Sequence, residues 1–229
     1  DTRRFYGRDA ASERLEHAVD TRRLTVVSGA SGAGKTSLLR AGLLPRLIEL
    51  GCGVLTVAEY SERTLRTVRA VLEAWPLRSL VVVLDQFERA LLEDRLPAVR
   101  QGFLDRVLQI GLYQQGRRVV VGVREDFLGR LLREAGGSEG LLRHEGELLV
   151  VGPLGRDETR EAILRPLEGL DTTFDPALVD ETLLPELMEP TGTMPAKLQI
   201  VCGRLYDEAR ARGGARIDDA LYRELKVFA

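Results

Sequence analysis

Asparagine is absent from this 229-residue sequence, and lysine nearly so: three lysines stand against thirty arginines. A chain without Asn cannot carry the Asn-Lys-x-Asp motif with which GTPases read guanine. Two cysteines and two histidines, with no CxxC pair, argue against a metal cluster and leave Cys52 and Cys202 as buried free thiols. No apolar run approaches the ~18 residues that a membrane span requires. Charge of one sign is lacking too. The formal net charge is −2 and the arginines are scattered, unlike the clustered basic footprint of a nucleic-acid binder. Neither nucleic acid nor membrane is therefore expected as a direct partner, and the expected compartment is the cytoplasm. There is no initiator Met and no signal-peptide-like stretch at the N-terminus, so the sequence reads as a piece of a longer protein. The preference for Arg over Lys fits a GC-rich bacterial genome.

What is present is a set of short apolar runs: Leu24–Val27, Val54–Val57, Leu80–Leu84, Val119–Val123 and Leu148–Val151. None alternates with polar residues, which predicts strands covered on both faces, the mark of a parallel sheet. Helical segments lie between them, giving the βαβ alternation of an α/β fold. After Val151 no further strand-like run follows, and the remainder reads as helices. Asp175-Pro176 predicts a helix start. Ala196–Arg212 places Leu198, Val201, Cys202, Leu205 and Ala209 on one face, and Gly213-Gly214 ends that helix. The expected organisation is a five-stranded parallel α/β domain over 1–152 and a small all-helical subdomain over 153–229, with 136–140 as a mobile loop.

The chemistry concentrates at Gly29-Ala30-Ser31-Gly32-Ala33-Gly34-Lys35-Thr36, followed by Ser37. This is the P-loop pattern. Its glycines let backbone N–H groups turn in around phosphates, Lys35 supplies charge to the β and γ phosphates, and the Thr36 hydroxyl ligates Mg²⁺. The helix opening at the loop adds its positive dipole end. Asp85, at the end of the run Leu80–Leu84, suits the Walker B acid of the Mg²⁺ shell; the plainer reading is a helix cap. The Ser-Gly-Gly-Gln signature of ABC transporters is missing; a small nucleotide kinase remains formally possible, but its Arg-rich lid is hard to find. An extra strand, Val119–Val123, suits the additional-strand branch of P-loop ATPases.

Ser28 through Leu47, with its Ala-Gly-Leu-Leu-Pro extension, resembles the STAND ATPases, specifically the bacterial "novel STAND" branch. Val82-Val-Leu-Asp-Gln-Phe-Glu88 resembles that branch's Walker B and Val121–Leu128 its sensor strand. The likeness continues through 148–166 and 190–204. The resemblance implies ATP or ADP as ligand. Phe5-Tyr6-Gly7-Arg8-Asp9 is similar to the motif that lies against adenine, with Asp9 replacing the usual Glu. Arg124 matches the arginine that reads the γ-phosphate, and Pro195 the proline of a Gly-x-Pro motif that packs on the base, although Gly192 stands one residue too far away. The plainer alternatives are surface arginines for Arg8 and Arg124 and a helix-start proline for Pro195.

The position after Asp85, where a catalytic Glu commonly orients water, holds Gln86. Glu88 is the candidate replacement, or else a solvated acid at a helix start. The family resemblance implies a slow ATPase that acts as a signalling switch in defence or regulation. ADP holds a closed monomer, and ATP permits opening and self-association through winged-helix, effector and sensor regions lying beyond this sequence. The alternatives are an origin-recognition-like AAA+ ATPase that loads onto DNA and a nucleotide-stabilised scaffold without turnover.

Overall fold

Each of the five apolar runs forms a strand: β1 (Leu24–Gly29), β2 (Gly53–Val57), β3 (Leu80–Leu84), β4 (Arg117–Arg124) and β5 (Gly146–Val150). The structure, a computed structural model, describes residues 5–75, 79–92, 97–108, 116–134, 146–214 and 216–225. The strands pair in the order β2-β3-β4-β1-β5, every pair parallel. Val and Leu dominate them because branched side chains fit a pleated surface between two covering layers. Strand β4 lies between β1 and β3, the position expected of the additional strand.

Burial separates the centre from the edges. Strands β1 and β3 are buried throughout, whereas Leu148 and Val150 of β5 are exposed and β2 is only partly covered. Coverage of both faces, expected for all five runs, therefore holds for the interior strands alone. An edge strand lies beyond the helices that the crossovers place over the sheet centre.

Within the chain two compact units are distinguished. One comprises Ala10–Ser31 and Lys35–Val151; the other holds the described residues of Asp1–Asp9, Gly32–Gly34 and Gly152–Ala229. In the first, the α/β unit, helix α1 (Asp9–Thr21) precedes β1. A helical run, α2, begins at Lys35–Ser37, widens to π geometry over Leu38–Leu43 and continues over Leu44–Glu49. Pro45 follows the wide turn; it cannot donate a backbone bond, and the Leu44 N–H reaches back five residues to the Leu39 carbonyl. Helix α3 (Glu62–Ala74) starts at Ser61, whose hydroxyl accepts the Thr64 N–H at 3.2 Å, a standard N-cap. Short α4 (Glu88–Leu92) follows β3, and α5 (Pro97–Gly102) continues as a π turn over Phe103–Leu108. Helix α6 (Glu125–Glu134) begins directly at the end of β4. Between the sheet and these helices Tyr60 stacks edge-on against both Phe87 and Phe103.

The second, helical unit has its own core, built on Ile163 of α7 (Arg156–Leu164), Leu178, Leu183 and Leu187 of the run α8 (Pro176–Leu187), and α9 (Pro195–Ala211). Leu198, Val201, Leu205 and Ala209 are buried on one face of α9, as their spacing requires. Cys202 is half-buried on that face; burial of the thiol pushes its pKa up to about 12, so it packs rather than reacts. Asp175 caps α8, accepting the Ala177 N–H at 3.1 Å with Pro176 at the first helical position. Gly213 (φ +66°) ends α9. The expected helical texture is supplemented by one small element: Thr173–Phe174 and Arg216–Ile217 form a parallel pair, β6 and β7. Two residues are too few to show as an apolar run. The loop expected at 136–140 lies outside the described residues. Among the described residues no helix is long and apolar enough to cross a membrane.

Candidate functional site

Strand β1 delivers the chain into the glycine-rich loop at Gly29. Its backbone runs so close to that of Val151 that a β-carbon at Gly29 would land on the Val151 carbonyl oxygen, and the Val151 N–H donates to Ser28 at 2.7 Å. The loop needs Gly there because no side chain fits between two backbones. At its far end Lys35 opens α2. Lys35 is 9% exposed, and its ammonium donates to the carbonyls of Gly29 at 2.8 Å and Ala30 at 2.9 Å. Burial lowers its pKa. The charge of Glu88 opposes that shift, Arg124 adds to it, and Glu125 and Asp85 oppose it. One cation, three carboxylates and an arginine thus share one electrostatic neighbourhood at the C-terminal ends of β1, β3 and β4, where open α/β sheets form their binding crevice.

Thr36, on the first turn of α2, donates from Oγ1 to Asp85 Oδ1 at 2.9 Å. Asp85 is 1% exposed. Its Oδ2 accepts no hydrogen bond among the described residues, and a nitrogen of the Arg40 guanidinium lies 3.4 Å from it. Asp85 therefore meets a hydroxyl rather than capping the next helix. A hydroxyl next to a buried carboxylate whose second oxygen accepts no hydrogen bond fits a hydrated Mg²⁺, which keeps several waters and takes few protein ligands. No group of three or more His, Cys, Asp or Glu residues able to hold a metal occurs among the described residues. Arg40 was not expected from the sequence, but it stands four residues after Thr36 on one helix, the spacing that brings both to one face.

The corner after Asp85 is tightly determined. The Asp85 N–H donates to Val57, the Phe87 N–H to Gly122, and the Tyr60 hydroxyl to the Asp85 carbonyl, each at 2.8 Å. With both neighbours pinned, Gln86 adopts φ +55°, a left-handed conformation that costs a non-glycine residue about 1–2 kcal/mol. Such strain persists where surrounding contacts over-determine it, and it clusters at functional sites. The Gln86 amide nitrogen lies 3.5 Å from Thr36 Oγ1. Glu88 follows at the start of α4. It is 8% exposed and accepts the Arg124 backbone N–H at 3.3 Å. The reading of Glu88 as a solvated acid fails, because the sharp corner at Gln86 turns it inward against β4.

Arg124 ends β4 with its side chain partly exposed. Its guanidinium makes a bidentate pair with Asp126 (3.0 and 2.7 Å) and lies 5.6 Å from the centre of the Phe127 ring.

In the helical unit, the loop tip Gly32–Gly34 contacts the start of α9. Gly32 and Gly34 have φ of +80° and +89°, which few other residues adopt. A β-carbon at Gly34 would sit 3.6 Å from Pro195 Cγ, and the Ala196 N–H donates to Gly32 at 3.3 Å. Pro195 is thus a helix-start proline that also packs on the loop tip. Gly192 (φ +118°) forms an antiparallel bridge with Glu189, next to the bridge between Thr193 and Leu154. Arg8 is buried, not a surface arginine; its guanidinium donates to Ala33 at 3.1 Å and Gly152 at 2.6 Å. Gly7 backs onto the Glu158 carbonyl, and the Arg165 guanidinium lies 4.5 Å from the centre of the Tyr6 ring.

The family pattern described as novel STAND NTPase 1 matches residues 1–63 and 49–227. The chain belongs to the novel STAND NTPase 1 family. No curated protein sequence matches it. Its fold is that of P-loop ATPases. The Aeropyrum pernix ORC2 protein, solved in ADPNP–ADP complexes, is 17% identical with a TM-score of 0.70, covering 95% of this chain and 67% of that one. The A. pernix ORC1 protein in complex with DNA is 18% identical, TM-score 0.60, over 97% and 65%. A Walker-type ATPase of Pyrococcus abyssi is 17% identical, TM-score 0.60, over 92% and 69%. This STAND NTPase chain spans about two thirds of the length of these proteins.

Proposed function

We propose that this STAND NTPase chain binds ATP and ADP with Mg²⁺ on the Lys35 loop and acts as a slow ATPase switch. The observation that carries the reading is the Thr36–Asp85 pair: a hydroxyl and a buried carboxylate 2.9 Å apart, with Asp85 Oδ2 free of hydrogen bonds, directly beside a lysine held by the loop's own carbonyls. Thr36 and Asp85 would hold Mg²⁺, directly and through water. That ion, when bound, supplies charge that neutralises the phosphate oxygens. The ammonium of Lys35 trades its two carbonyl acceptors for phosphate oxygens, which its burial strengthens. Glu88, buried beside the end of β4, accepts a proton from attacking water, and Arg124 reads the γ-phosphate. Gln86, which cannot take up a proton, makes the ATPase slow.

The switch reading is supported by the contacts of the loop tip with Pro195 and Ala196: reordering the loop around phosphates acts on the start of α9. Calorimetric titration with Mg-ATP, Mg-ADP and Mg-GTP tests the reading, with tighter adenine binding expected. Phosphate release is expected below ~1 s⁻¹, the low end of ordinary enzyme rates, and light scattering should show a monomer. Lack of binding by either adenine nucleotide overturns the proposal.

A further inference from the structure

Arg124 is already engaged, and the group that engages it has the shape of a phosphate edge. Its Nε donates to Asp126 Oδ1 at 3.0 Å and its Nη2 to Asp126 Oδ2 at 2.7 Å. The Phe127 ring flanks the guanidinium, and the backbone N–H of Arg124 donates to Glu88. Two oxygens on one planar carboxylate meet the guanidinium fork as two oxygens of a phosphate would. The pair spans only i to i+2, from the last residue of β4 to the first turn of α6. Both partners are fixed to rigid elements, so only the guanidinium has to move to change partners. The charge of Arg124 also acts on Lys35, which places it in the neighbourhood of the loop while its donors face Asp126.

We propose that Asp126 is a positioning residue that holds Arg124 in reserve and competes with the γ-phosphate for its guanidinium. The proposal rests on the reading of Lys35 as the phosphate site and of Arg124 as the γ-phosphate reader. Binding of a nucleoside triphosphate requires Arg124 to release Asp126; a diphosphate leaves the pair intact. Asp126 thereby narrows the difference in affinity between ATP and ADP. The device biases the protein toward its diphosphate form without touching the ligand. Because both side chains are substantially exposed, the competition is modest, about 2- to 5-fold in affinity, the range of solvent-exposed ion pairs.

The test is a set of titrations of the intact chain with ADP and a non-hydrolysable ATP analogue, both with Mg²⁺. Asp126→Asn keeps the side chain's size and removes its charge. The ATP-to-ADP preference should rise about 2- to 5-fold, and the rise should vanish when Asp126→Asn is made in an Arg124→Ala background. Asp20→Asn, which removes the same charge from an exposed acid paired with Arg118, should leave the preference unchanged. The proposal is overturned if Asp126→Asn leaves the preference at its wild-type value, if its effect survives without Arg124, or if Asp20→Asn reproduces it. Failure of the underlying reading looks different: Arg124→Ala alone would then leave the preference as in wild type. If Arg124→Ala lowers the preference and Asp126→Asn does nothing, Arg124 remains the reader and only the competitor role of Asp126 is lost.

Discussion

The carboxylate of Glu88 accepts the backbone N–H of Arg124 at 3.3 Å, so the acid after β3 and the arginine after β4 are held at one place. Two substitutions separate its structural from its chemical role. Glu88→Gln keeps an acceptor for the Arg124 N–H and should leave stability nearly unchanged, while single-turnover phosphate release falls by about 10²-fold or more. Glu88→Ala orphans that N–H and should cost about 1–3 kcal/mol in denaturant unfolding as well. Unchanged phosphate release in Glu88→Gln would remove the general-base role.

Lys35→Ala should abolish nucleotide binding with little loss of fold. The ammonium reaches only the loop carbonyls of Gly29 and Ala30, so its removal opens no core cavity. Calorimetry showing wild-type ATP affinity in the mutant would refute the phosphate-site reading.

Gly29→Ala should destabilise the chain by about 1–3 kcal/mol, as overpacking does. The added carbon meets the Val151 backbone rather than a movable side chain. Thermal unfolding indistinguishable from wild type would show that β1 and Val151 can separate freely.

At position 86 the left-handed backbone makes glycine the favoured residue. Gln86→Gly should be more stable than Gln86→Ala by about 1 kcal/mol, the reverse of the usual order in regular structure. Urea unfolding of the two variants tests this directly; a more stable alanine variant would mean that Gln86 does not hold φ +55° in solution.

Cys202 provides a pH-dependent check on the helical unit. Its folded pKa, about 12, lies above the ordinary thiol value of 9.0, so the folded chain binds more protons than the unfolded one between those limits. The resulting stability is fully present below about pH 9 and is lost as pH rises toward 12. Wild type should therefore lose stability with rising pH more steeply than Cys202→Ala across that window. Parallel slopes, measured by urea unfolding, would place the thiol in water.

The sequence by itself determined the five strands, the glycine-rich loop that runs into Lys35 and Thr36, and the place of Asp85 directly after β3. These depend on local signals: runs of branched apolar residues, glycines at fixed spacing, and an acid closing a buried strand. The buried face of α9 and the Asp175 cap were legible for the same reason. Tertiary structure alone decided which strands became edges, since Leu148–Val151 reads like Val119–Val123 until its neighbours are known. It also decided the left-handed turn at Gln86, which backbone bonds to Val57 and Gly122 impose from two other strands. That turn buries Glu88, which sequence spacing left open between base and solvated acid. Sequence left Arg8 open between a motif arginine and a surface one; its partners Ala33 and Gly152 are brought to it from 25 and 144 residues away. Periodicity and motif spacing report what a residue's neighbours along the chain can do; burial, strain and ion-pair partners depend on residues that only the folded backbone brings together.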